Sequence, residues 1–192
     1  MPILGIIASQ ISGHLGPIFD SEFESIATVS VGSGGSGTIT FSSIPSTFKH
    51  LQIRGISRSN NAAVQNNSIG IRLNSDTASN YNSHFLSGTG SGSLSAQSFG
   101  TDSYMYLPTG GGGGATASVF GAFVIDILDY TNASKYKTLR SLSGVDNNGD
   151  GNIRFASGLW MNTNAITTIL IDGRGDTFLQ YSSFALYGIK GV

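Results

Sequence analysis

From Ile26 onward, short β-favouring stretches alternate with clusters of Gly, Ser, Asn and Asp, and this spacing constrains the fold more than any other feature. Successive side chains of a strand point to opposite faces, so a half-buried strand reads as apolar and polar residues in turn. Leu51-Gln52-Ile53-Arg54-Gly55-Ile56 and Ile69-Gly70-Ile71-Arg72-Leu73 carry that alternation. Strands are predicted over 26–31, 38–42, 49–57, 68–74, 103–107, 119–128, 136–143, 153–160, 166–171 and 183–189. Phe120, Phe123, Val124, Ile125, Ile127 and Leu128 form a denser run, expected in a central strand covered on both faces. Helical periodicity is nearly absent. Strands joined by turns at this spacing predict an all-β, antiparallel β-sandwich, jelly-roll-like, over residues 25–192. An extended N-terminal arm over residues 1–24 precedes it.

Two connections exceed ordinary hairpins. Residues 75–102 are rich in Ser, Gly and Asn and are expected to form a long, outward-facing loop. Tyr81, His84, Phe85 and Phe99 are its candidate ligand-binding residues, because their rings supply stacking faces. The run Gly110 to Gly114 is expected to be a flexible connection. No Lys-Ser or Lys-Thr pair follows it, so a phosphate-cradling loop is not predicted.

The chain of 192 residues fits a single domain. Only 11% of it is charged, against about 25% in ordinary soluble domains. Its surface must therefore be Ser, Thr, Asn and Gly, which leaves little charge repulsion and points to dependence on partners or an assembly. A net charge of -1 gives no footprint for nucleic acid. The absence of cysteine excludes disulfides and thiolate chemistry. The opening Met1-Pro2-Ile3-Leu4-Gly5-Ile6-Ile7-Ala8 is apolar but lacks a basic flank and is shorter than a membrane helix requires, so neither a signal peptide nor membrane insertion is expected. Ile3, Leu4, Ile6 and Ile7 are instead candidate docking residues, since a short terminal segment cannot bury them by itself.

Constellations that carry chemistry are sparse. Asp146-Asn147-Asn148-Gly149-Asp150-Gly151 resembles the start of a calcium loop, with Asp146, Asn148 and Asp150 as the weak candidate ligands. Ser157 stands where such a loop requires a bidentate Glu, so a solvated turn is preferred and no metal is assigned. His14, His50 and His84 have no ligand spacing between them, and His50 is read as a surface histidine. No Gly-x-Ser-x-Gly elbow is present. The pairs Asp126/Asp129 and Asp172/Asp176 invite a glycan-hydrolase reading. Aspartates at strand ends more often bind turn amides or pair with cations, and no catalytic residue is assigned. Arg174-Gly175-Asp176 spells an integrin tripeptide, three residues of almost no specificity.

Longer phrases point further. Met1-Pro2-Ile3-Leu4-Gly5-Ile6-Ile7-Ala8-Ser9-Gln10-Ile11-Ser12-Gly13, Ile44-Pro45-Ser46-Thr47-Phe48-Lys49-His50-Leu51-Gln52-Ile53-Arg54, Ile125-Asp126-Ile127-Leu128-Asp129-Tyr130 and Phe184-Ala185-Leu186-Tyr187-Gly188-Ile189-Lys190-Gly191 resemble small virion structural proteins of tailed phages. The resemblance spans nearly the whole chain. It implies a non-enzymatic component of the phage particle surface that needs no cofactor and whose partners are other virion proteins. A tail-associated fibre or receptor-binding component that meets a host surface glycan is the leading expectation. A capsid decoration or head-spike protein is the alternative, and a glycan-degrading enzyme the third reading. Such virion parts are commonly homo-oligomers, with a trimer favoured.

Overall fold

A computed structural model describes residues 22–90 and 94–191, and the candidate docking residues Ile3, Leu4, Ile6 and Ile7 lie outside them. The described residues form twelve strands: β1 (Phe23–Ser30), β2 (Thr38–Phe41), β3 (His50–Ser57), β4 (Asn66–Leu73), β5 (Tyr81–Gly88), β6 (Leu94–Asp102), β7 (Met105–Gly111), β8 (Gly121–Ile127), β9 (Lys137–Asp146), β10 (Gly151–Trp160), β11 (Ile169–Asp172) and β12 (Ser183–Ile189). They make two antiparallel sheets, one of eight strands ordered β1-β12-β3-β8-β9-β10-β5-β6 and one of four ordered β2-β11-β4-β7. First strand pairs with last, and second with penultimate, which is how a jelly roll wraps.

The alternation read from the sequence is what joins the sheets. From the larger sheet Leu51, Ile53, Ile125, Ile127, Leu139, Phe184 and Leu186 are buried. They meet Ile39, Phe41, Ile69, Ile71, Leu73, Met105, Leu107, Ile169 and Ile171 of the smaller sheet in one core. Each such side chain contributes about 1.5 to 3 kcal/mol of burial. Strand β9 shows the pattern in full, with every second residue from Lys137 to Val145 turned inward.

Four expectations change. The sandwich starts earlier than residue 25: Phe23 and Glu24 already pair with Ile189 and Gly188. The run ending at Leu128 is covered on one face only, since Phe123, Ile125 and Ile127 point inward while Val124 and Asp126 lie on the outer face. Residues 81–88 and 94–102 are not loop but the hairpin strands β5 and β6. The pattern of β5 was hidden because its inward positions are Tyr81, Ser83, Phe85 and Ser87, two of them serine. Ser83 is wholly buried, and its Oγ accepts the N–H of Tyr106 at 2.9 Å, so a hydroxyl serves where an aliphatic group was expected.

The glycine run is the fourth. Gly110 and Gly111 end β7, and Gly112 donates its N–H to the carbonyl of Gln65 at 2.8 Å. A Cβ on Gly112 would lie 2.1 Å from the carbonyl oxygen of Val64, and one on Gly114 2.7 Å from that of Ala62. These glycines serve close backbone packing, not flexibility.

Candidate functional site

The four aromatic and histidine positions named from the sequence do not form one site. Tyr81 is fully buried beside Trp160, ring centroids 6.3 Å apart, so it offers no stacking face to a ligand. Its hydroxyl donates towards the carbonyls of Leu73 and Asp76 and accepts the N–H of Leu73, each at 3.1 Å. Burial pushes its pKa up to about 12. Asp76 completes this structural lock by accepting the Trp160 indole N–H at 2.8 Å and the Asn80 amide at 2.9 Å. Phe85 is also buried, under the guanidinium of Arg154 at 4.0 Å. Phe99 lies on the same side of the sheet, against Phe85 and Tyr106. His84 alone of the four projects from the opposite, outer face. There it borders a groove of about 500 Å³ with Leu86, Ala96, Ser98, Phe155 and Ser157.

The residues 146–152 form a tight hairpin turn. Asp146 pairs with Gly151, and the N–H of Asn147 reaches the carbonyl of Asp150 at 2.6 Å. Asn148 and Gly149 between them take φ of +53° and +99°, the left-handed pair that suits a two-residue connection. Ser157, the twelfth position of the would-be calcium loop, stands in the middle of β10. The Asn147 side chain is turned onto the Thr116 N–H and the Gln65 amide.

The aspartates have structural partners. Asp126 binds Gln52 at 2.8 Å and Arg140 at 3.2 Å, and Asp129 binds Lys49 and Lys135. Hydrogen bonds from those two lysines hold the Asp129 carboxyl down at about 2. His50 accepts the backbone N–H of Asp129 at 3.0 Å. Asp172 accepts the Tyr104 hydroxyl at 2.8 Å, and Asp176 accepts both Asn61 and Asn67. Among the described residues no three His, Asp or Glu converge as a metal site.

A different cleft, at the end of the sandwich where the chain crosses between the sheets, has the geometry of a contact site. It measures about 660 Å³ and is bordered by Ser33, Asn60, Ser118, Phe120, Gln180 and Tyr181. Tyr181 is 75% exposed and takes φ of +74°. It is the third residue of a turn closed by the Ser182 N–H on the carbonyl of Leu179 at 3.1 Å. Glycine or asparagine is the residue of choice there, because a bulky side chain in left-handed backbone costs about 1 to 3 kcal/mol. An aromatic ring held out to solvent from a strained turn thus lies beside two amides and two hydroxyls, groups able to stack on and hydrogen-bond a polar ring. The sequence signal was present but faint: Tyr181 follows Gln180 between a buried Phe178 and a buried Ser182, where a turn would ordinarily carry Gly or Asn. No family model and no curated protein matches this chain.

Proposed function

We propose that this protein is a non-enzymatic structural subunit of a tailed-phage virion, placed on the tail as a fibre or receptor-binding component. The sequence phrases that resemble phage virion proteins give the setting. The observation that carries the reading is the division of the surface. Half of one outer sheet face is apolar, as a subunit held by neighbours requires, while the strained loop end presents Tyr181 beside Asn60, Gln180 and Ser118. The ligand class that suits the latter is a host surface glycan, whose ring faces stack on tyrosine and whose hydroxyls bond amides. The candidate carboxylates are engaged by lysine, arginine, tyrosine or asparagine, which leaves the reading without an acid/base pair to assign. Gold-labelled antibody against the chain, imaged on intact particles of the phage that encodes it, tests this reading. Label on the tail supports it; label on the head favours the decoration role, and unlabelled particles refute both.

A further inference from the structure

The inner face of the eight-stranded sheet is covered by the smaller sheet except along β6, which is exposed on both faces, whereas its outer face is dressed unevenly. Over β1, β12 and β3, Arg54 lies across the rings of Phe23 and Tyr187 at 5.1 and 5.6 Å. From β8 to β6 the face turns apolar. The strand register sets Val124, Leu142, Phe155, Leu86 and Ala96 side by side across five strands. The next row holds Ala122, Gly144, Ile153, Gly88 and Leu94, and Ile56 extends it onto β3. Ile56, Leu86, Leu94, Leu142, Ile153 and Phe155 are between 45% and 81% exposed. On the other flank the row is polar, with Asp126 bonded to Gln52 and Arg140, followed by Ser157 and His84.

We infer that this half-face packs against the same half-face of a second copy of the chain, the two related by a two-fold axis that lies in the interface, parallel to the sheets. The inference builds on the reading of the chain as an assembly subunit and names its partner. Size supports it. Five strands about 4.8 Å apart and three rows about 6.8 Å apart cover on the order of 500 Å² per copy. Two such faces, the polar row included, reach the roughly 1,000 Å² at which specific interfaces begin.

Shape and charge select a second copy over an unlike partner. All sheets twist with one hand, so two copies of one face stack as the sheets of a sandwich do, about 10 Å apart and about 30° from parallel. The charged pair on the flank, Arg140 with Asp126, carries both signs, so a two-fold can set each against its opposite in the second copy. The patch also runs out to β6, an edge strand whose residues before Asp102 include no charge and no proline. The other edges are defended: β1 carries Glu24 and a bulge, β2 has four residues, and β7 contains Pro108.

Sedimentation equilibrium of the full chain over micromolar concentrations tests the inference. A dimer is expected, and Phe155→Glu, which sets a charge in the middle of the patch, should weaken it at least tenfold. Leu142→Ser, a milder, uncharged change beside Phe155, should weaken it less while circular dichroism stays that of the parent. A monomeric or trimeric parent chain, or a dimer that both folded variants leave intact, overturns the two-fold packing. The measurement needs no particle, so its failure would be separate from a failure of the virion reading, which the gold label decides.

Discussion

Arg58 donates to the carbonyl of Ala115 at 2.9 Å and thereby ties the end of β3 to the segment beyond the glycine run. The same guanidinium reaches the carbonyls of Gly113, Thr116 and Val119, at 3.1, 2.8 and 2.8 Å. A planar fork can serve four carbonyls at once; an ammonium cannot. Arg58→Met should therefore lower stability by on the order of 3 kcal/mol, the combined effect of several charge-assisted bonds to backbone. Urea denaturation measures the loss. Hydrogen exchange should show it concentrated at residues 112–120, and Arg58→Lys should recover only part of it.

Two buried cations should respond in opposite ways. Lys137 is wholly buried and donates to the carbonyls of Asn132, Thr163 and Lys135 at 2.6, 2.8 and 3.1 Å. Burial lowers its pKa. Lys137→Met orphans three carbonyls and should cost on the order of 3 kcal/mol.

Arg154 is nearly as buried, but among the described residues its guanidinium hydrogen-bonds only Ser68, at 3.0 Å, and Nε has no acceptor. Burial pushes its pKa down to about 10. Removing a desolvated charge that lacks a carboxylate costs little, so Arg154→Met should be neutral or stabilising by about 1 kcal/mol. Thermal denaturation of the two methionine variants side by side checks the contrast; an Arg154→Met loss equal to that of Lys137→Met would contradict it.

Acid should act through Asp129. Its carboxyl titrates near 2 in the folded chain, because Lys135 and Lys49 bind the ionised form, against an ordinary value of 3.8. A depressed folded pKa contributes stability that is present above the unfolded value and is lost as pH falls through the folded one. The parent chain should therefore lose more stability between about pH 4 and pH 2 than Asp129→Asn does. Melting temperatures recorded across that window test the sign.

Tyr181 should show a conflict between stability and binding. Tyr181→Gly relieves the left-handed strain and should stabilise the fold by roughly 1 kcal/mol, after the added chain entropy of glycine is set against the strain. Binding to host envelope polysaccharide, read on an immobilised glycan surface, should fall at least tenfold in the same variant. Unchanged binding would remove Tyr181 from the contact site, and a destabilised variant would show that the turn holds tyrosine for packing.

The class of fold is legible in the order of residues alone. Wherever apolar residues fill every inward position, as in Leu51 to Ile53 or Ile69 to Leu73, period-two alternation names both the strand and its buried face. The Asn148-Gly149 turn was equally legible, since its residues are those that accept left-handed backbone. The rest follows from contacts between segments distant along the chain. Strand β5 became visible once the opposite sheet supplied a hydrogen-bond partner for Ser83, a contact 23 residues away along the chain. The glycine run is held rigid by Val64, Ala62 and Arg58, which press against it from other segments. Tyr81 and Tyr181, alike in composition, differ because one lies on the inner face of a sheet and the other in an exposed turn. The candidate functional residues depend on which faces are covered, and coverage arises from long-range packing that local periodicity does not encode.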